Sequence, residues 1–146
     1  MTAPTAIAPY TGPVCVTLAY LLIYYTTQLN ILRVKDRKKK EFADKGEKFD
    51  RYFGQDRELL AADRIQLNML EHMPPFLALL WLNAVFVAGW GTTIAGGVYV
   101  MSRLGYPLAL GTRVGRGPRT IILLATGPGY AVLIYLTGAL IWTMLA

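Results

Sequence analysis

Where the charge sits constrains this chain more than any other feature. No Lys, Arg, Asp or Glu precedes Arg33 or follows Arg119. Of the 15 Lys and Arg, 11 fall between Arg33 and Arg64, together with every acid except Glu71. The other basic residues are Arg103, Arg113, Arg116 and Arg119, and no acid lies among them. Between these charged stretches run apolar segments of roughly 20 residues, long enough to cross a bilayer. Lipid offers no partner to unpaired backbone N–H and C=O groups, so such segments fold as helices. The pattern predicts an all-α chain: an integral membrane four-helix bundle in a single domain over 1–146.

The spans are expected at about 13–32, 64–89, 92–110 and 119–145, with polar loops at 33–63 and 111–118. The first helix should continue past the headgroups through the basic run 33–40, and the second should begin ahead of the membrane near Arg57. Gly89-Trp90-Gly91 forms a short uncharged link. With four spans, both basic loops share one side of the membrane, and excess Lys and Arg place that side in the cytoplasm. Both termini then lie on the opposite, non-cytoplasmic face. The start of the chain has no basic n-region and no small-residue cleavage site, so the first span is expected to stay in the mature protein.

Several function classes drop out. Charged residues make up 16% of the chain, against about 25% in soluble domains, which argues against a soluble enzyme. The net charge of +6 is confined to two loops rather than drawn out as a stripe, so no nucleic-acid partner is expected. Cys15 is the only cysteine, so no internal disulfide can form. The segment 111–117 is rich in Gly and Arg, but it follows no strand and lacks the Gly-Lys-Ser/Thr ending of a phosphate loop. Lys38, Lys39 and Lys40 suit an anchor against anionic headgroups.

The informative residues are polar ones inside the second span. Arg64, Asn68 and Glu71 follow at spacings of four and three, which puts them on one helical face. Gln66 lies off that stripe. Ionisable groups at membrane depth face a bundle interior or a wet cavity and find partners there. One reading is a structural staple, with Glu71 neutralised by a basic group of another span such as Arg103. The other is a polar pocket, open to the cytoplasm, for a small polar or zwitterionic ligand. His72 is the only histidine and has no Cys, His or carboxylate at metal-ligand spacing, so no metal is expected. Pro74 and Pro75 free the carbonyls of Leu70 and Glu71 and should kink the helix.

The run Arg64-Ile65-Gln66-Leu67-Asn68-Met69-Leu70-Glu71-His72-Met73-Pro74 resembles the signature of the MAPEG family, membrane-associated proteins of eicosanoid and glutathione metabolism. That signature is Arg, Asn four on, Glu three further and Pro three further, and all four match. The resemblance extends over nearly the whole chain: four spans, a long basic first loop, a short second loop and a basic third. It implies a homotrimer with glutathione as cosubstrate, bound between adjacent protomers and reached from the cytoplasm. By carry-over, Asn68 and Glu71 would hold the tripeptide backbone, with Glu71 at its amino group and Arg64 at a carboxylate. Gln66 would reach towards the neighbour's ligand, and Arg33 matches a family arginine near the site. Arg103 and Tyr106 match third-span positions that contact the tripeptide. Arg116, with Arg119 second, matches the arginine that holds the thiolate.

Two positions depart from the family pattern. Leu110 stands where family synthases place a tyrosine, and Leu67 where a prostaglandin-forming member has arginine. The resemblance implies a glutathione-dependent transferase or peroxidase acting on hydrophobic or lipid electrophiles, in a bacterial inner membrane or a eukaryotic endomembrane. The family also contains a lipid-binding member without catalysis. The alternative is therefore a non-catalytic lipid-binding scaffold or a structural subunit of a larger membrane complex.

Overall fold

A computed structural model of the protein describes residues 8–110 and 119–146. After a short 3₁₀ turn at Ala8–Tyr10 come four α-helices: α1 (Thr11–Asp44), α2 (Arg57–Phe86), α3 (Trp90–Leu110) and α4 (Arg119–Leu145). No strand occurs among the described residues. α1 packs on α2 and α3, and α4 packs on α3 and α2, so α1 and α4 occupy opposite corners of the bundle.

Three of the helices, α1, α2 and α4, are long and apolar enough to cross a membrane. α3 is diluted by Thr92, Thr93, Ser102, Arg103 and four glycines. Its polar side chains turn inward: Thr92, Ser102 and Arg103 are all buried.

Within the polar stretch 33–63, α1 runs past the basic run 33–40 as far as Asp44 and α2 starts at Arg57, so the connection between them is 45–56. On α1, Lys38 Nζ lies 3.0 Å from Glu41, 3.1 Å from Asp56 and 3.3 Å from Glu58, and Arg37 also pairs with Glu58. Asp56 caps α2 by accepting from the N–H groups of Glu58 and Leu59, each at 3.0 Å. A cap of this kind contributes about 1 kcal/mol. Hydrogen bonds to Glu41 and Asp56 hold the Lys38 ammonium well above the ordinary lysine value. Burial pushes the Asp56 carboxyl up, but the Leu59 N–H and Lys38 outweigh it and leave it below its ordinary value. At the other end α2 stops three residues before the expected Gly89. The chain turns there through Ala88 and Gly89, with φ of 55° and 99°.

The core is aromatic at its centre. Phe76 and Tyr99 stack with ring centroids 3.8 Å apart, and Tyr20 leans on both. α2 runs without interruption through Pro74 and Pro75. These prolines cannot donate to the carbonyls of Leu70 and Glu71. Tyrosine hydroxyls reach the carbonyls on either side instead: Tyr20 donates to Met69 at 2.7 Å and Tyr99 to His72 at 3.4 Å. Asn83 ties α2 to α4 by donating to the Leu136 carbonyl at 2.9 Å. Gly96 allows α1, α2 and α3 to close up, since a Cβ there would lie 2.8 Å from Val16 and 3.0 Å from Leu80. Small residues play this part where helices meet in lipid.

Candidate functional site

The stripe on α2 sits at a seam of the bundle. At about 100° per residue, Asn68 is turned some 40° from Arg64 towards the interior, and Glu71 about 20° the other way. Asn68 is buried, whereas Arg64 and Glu71 are exposed on the protomer. Ile65 packs inward against Tyr106 of α3 and Ile122 of α4. Tyr106 is buried there beside the stripe.

Arg103 is the largest fully buried side chain among the described residues. Its Nη1 donates to Asn68 Oδ1 at 3.1 Å, and its guanidinium carbon lies 5.2 Å from the Tyr99 ring centroid. Its Nε and Nη2 have no hydrogen-bond partner among the described residues. No carboxylate pairs with it among the described residues, and Glu71 does not neutralise it. The staple expected between Glu71 and Arg103 is therefore not formed: the guanidinium turns to Asn68, and the carboxylate points out of the bundle. Gly129 on α4 makes room for this arrangement, since a Cβ there would lie 2.7 Å from Nη2. Ser102 fixes the neighbouring turn of α3 by donating to the Ala125 carbonyl at 2.7 Å.

A buried guanidinium with two free donor nitrogens and one neutral hydrogen bond is costly in a protein interior. The arrangement suits an anion that arrives from outside the chain. Arg supplies planar, forked donors that match a carboxylate and cannot lose its proton. Glu71 has no ion pair among the described residues, and an exposed carboxylate can accept from an ammonium.

His72 lies on the α4 side of this seam. Its Nε2 is 3.4 Å from the Tyr130 hydroxyl, and the two rings meet edge-on. Gln66 is half-buried at about 200° around α2 from Arg64, on the side towards α1. Arg33 is exposed and lines a groove between α1 and α3. The structure therefore brings Asn68 and Arg103 into contact, leaves Arg64 and Glu71 exposed on the same stripe of α2, buries Tyr106 against Ile65, and sets Gln66 and Arg33 away from that stripe. Arg116 lies outside the described residues. Arg119 is the first residue of α4, and Leu110 is the last of α3. No group of three His, Cys, Asp or Glu among the described residues could hold a metal ion.

Tyr99, Tyr130 and Gly129 belong to this constellation without any signal singled out in the sequence. Tyr99 could have been found, because it precedes Arg103 by four residues and so shares its helical face. The contacts of Tyr130 and Gly129 depend on how α4 is rotated, which α4's uniformly apolar sequence does not specify.

No curated protein sequence matches the chain. A family model, by contrast, matches residues 13–142, nearly the whole of it, and on that match the chain belongs to the MAPEG family.

Proposed function

We propose that this membrane protein is a glutathione-dependent transferase or peroxidase acting on hydrophobic or lipid electrophiles. The observation that carries the reading is Arg103, fully buried, with two donor nitrogens that have no partner and no acid beside it among the described residues. Glutathione has two carboxylates and one ammonium. Arg103 and Arg64 would take carboxylates, Glu71 the ammonium, and Asn68 and Tyr106 the peptide backbone. A thiol of pKa about 8.5 is only a few per cent ionised at neutral pH. Arg116, with Arg119 as the second choice, would stand beside the sulfur and favour the anion. Each unit by which the thiol pKa falls corresponds to about 1.4 kcal/mol. The thiolate then attacks an electrophile, or reduces a hydroperoxide, presented from the bilayer.

The assembly that suits this site is a homotrimer. Gln66 and Arg33 lie on a different face of the protomer from Arg64 and Glu71, so they can serve a ligand only in a neighbour. A head-to-tail ring brings two such unlike faces together around a closed axis. We place 33–63 and 111–118 in the cytoplasm and both termini across the membrane, in a bacterial inner membrane or eukaryotic endomembrane. Leu110, in the place of a family tyrosine, favours a second reading as a non-catalytic lipid-binding scaffold or structural subunit.

Titration of the purified protein with glutathione, followed by ultraviolet difference absorbance of the thiolate, separates the two. The enzyme reading expects saturable binding with a thiolate band at neutral pH. Arg116→Ala should remove the band and cut turnover by about 10²-fold, as loss of one preorganised donor does. Glu71→Ala should instead raise the apparent glutathione constant. If Arg119→Ala shows the first pattern and Arg116→Ala does not, the thiolate arginine is Arg119. Absence of both binding and band leaves the scaffold reading.

A further inference from the structure

Two backbone carbonyls of α2 lack their helical donor, and one of them belongs to Glu71. Pro74 and Pro75 carry no N–H, so the carbonyls of Leu70 and Glu71 lose the partner that a helix otherwise supplies. α2 nonetheless continues through the pair to Phe86. The hydroxyls that enter this turn, from Tyr20 and Tyr99, go to the carbonyls of Met69 and His72. Those two carbonyls already face the N–H groups of Met73 and Phe76, four residues on. Among the described residues no side chain donates to the Leu70 or Glu71 oxygen.

The two oxygens are not equivalent. At about 100° per residue, Pro75 falls some 20° from Arg64, between Asn68 and Glu71, whereas Pro74 falls about 80° to the other side. A helical carbonyl points at the N–H four residues on, so the oxygen freed by Pro75 lies on the stripe and the one freed by Pro74 lies beside it. Glu71 and Pro75 are both exposed on the protomer. Glu71 is also about 10 Å further into the span than Arg64. At that depth lipid cannot satisfy a carbonyl, so its donor has to come from another polar group. Pro74 belongs to the Arg, Asn, Glu, Pro signature, and Pro75 is an addition to it.

We propose that the Glu71 carbonyl freed by Pro75 is a second acceptor for the ligand's ammonium, and that Pro75 is the positioning residue that makes the site select a thiol ligand with a free primary amino group. This rests on the glutathione reading given above and adds to it a determinant of specificity. An ammonium carries three N–H donors, and the Glu71 carboxylate cannot meet all three from one side. The side chain of Glu71 leaves the helix tilted towards its N-terminus, while the carbonyl points towards the C-terminus. An ammonium on the stripe between them meets an acceptor from each direction. A ligand that lacks the ammonium, or bears an acyl group on that nitrogen, leaves the carbonyl unmet and pays its desolvation for nothing in return. Ala at position 75 would cancel the effect, because its N–H would close the ordinary helical bond to Glu71.

The test compares two ligands by calorimetry on the full-length protein in detergent: glutathione, and N-glutaryl-cysteinylglycine, the same tripeptide without its amino group. Wild type should bind glutathione the more tightly. Pro75→Ala should weaken glutathione about tenfold, the worth of one hydrogen bond to a charged group, and leave the constant for the desamino tripeptide unchanged. Ala is a strong helix former at an exposed position, so the variant should fold. Lactic acid introduced at position 75 has neither an N–H nor a ring, and it should restore the wild-type preference. That rescue separates a free carbonyl from the shape of a proline. The proposal is overturned if Pro75→Ala weakens both ligands alike, if it changes neither, or if the lactic acid variant behaves like Ala. A change in subunit association with the ligand preference intact would also overturn it, and would give the carbonyl to a second copy of the chain. Wild type that binds neither tripeptide refutes the glutathione reading and this proposal together. Tight glutathione binding with no ligand-selective effect at position 75 refutes this proposal alone.

Discussion

Replacing Arg103 by Met should separate a ligand-binding arginine from a structural one. Among the described residues Arg103 makes one hydrogen bond, to Asn68, and leaves Nε and Nη2 unpaired in a fully buried position. Met keeps most of the apolar stem, so little packing is lost. The variant gives up one charge-assisted hydrogen bond, about 1.5–3 kcal/mol, but also removes a buried charge that no acid compensates. Exchanging buried ionic groups for apolar ones of similar volume is commonly neutral or stabilising by about 1–4 kcal/mol. The ligand-free variant should therefore unfold at the same temperature as wild type or slightly above it. Ligand should reverse the order. Glutathione at 100 times its dissociation constant stabilises wild type by about 2.7 kcal/mol, or roughly 5–10 °C for a chain of this size. Arg103→Met should show no such shift. Thermal unfolding in detergent, followed by tryptophan fluorescence with and without glutathione, reads both quantities. A variant that is several degrees less stable without ligand, yet keeps the full glutathione shift, would mean that Arg103 is a structural element and that the ligand sits elsewhere.

Gly129→Ala should weaken glutathione binding about tenfold by calorimetry without touching the ligand, because its Cβ would sit 2.7 Å from Arg103 Nη2. Helix propensity favours Ala over Gly by about 1 kcal/mol, so stability should not fall with affinity. In a Cys15→Ser background, Lys45→Cys and Leu145→Cys should react with an impermeant thiol reagent from opposite faces of sealed vesicles, and labelling of both from one face would refute the four-span topology. Asp56 titrates below its ordinary value of 3.8, so its cap supports the fold at neutral pH and is lost as pH falls through the folded-state value. Hydrogen exchange over 38–60 should therefore accelerate on strong acidification, and Asp56→Asn, which keeps the cap but not the Lys38 pair, should flatten part of that response.

The sequence made the helices legible and left their ends obscure. Charge returns at Arg33 and persists to Arg64, yet helix covers much of that stretch: α1 runs beyond the basic run 33–40 to Asp44, α2 starts at Arg57 as read, and its far end falls at Phe86 rather than Gly89. A change in composition marks where lipid ends, not where a helix ends. Outside the membrane, ion pairs such as Lys38 with Glu41 and a cap such as Asp56 sustain the helices by ordinary means. On α2 the spacing of Arg64, Asn68 and Glu71 correctly put them on one face, but a face some 60° wide at a seam can be split. Periodicity reports which residues share a side of a helix and not where the neighbouring helices stand. For the same reason the sequence could pair Arg103 with Glu71 as readily as with Asn68. The deciding contacts come from α3 and α4, whose rotation is set by Gly129, Ser102 and the stacked Phe76 and Tyr99.

On the proposed reading, that choice of partner leaves the charge of Arg103 uncancelled within the protomer. A direct bridge between Arg103 and Glu71 would satisfy both charges within the protomer and leave a zwitterionic ligand nothing to displace. Asn68 prevents this by holding Nη1 with a neutral oxygen, which orients the guanidinium without cancelling it. Asn68→Asp tests the idea with almost no change in shape. The new carboxylate would lie at the 3.1 Å position of Oδ1 and form an ion pair with Arg103. Pairing a formerly uncompensated buried charge should stabilise the ligand-free protein, in contrast to Asn68→Leu, which removes the only hydrogen bond and should destabilise it by about 1.5–3 kcal/mol. Both variants should lose glutathione affinity, Asp because the arginine is already neutralised and Leu because it is no longer oriented. Stability and affinity would then move in opposite directions in one variant and together in the other. If Asn68→Asp keeps wild-type affinity, Arg103 does not meet the ligand's anion, and the role assigned to its free nitrogens is wrong.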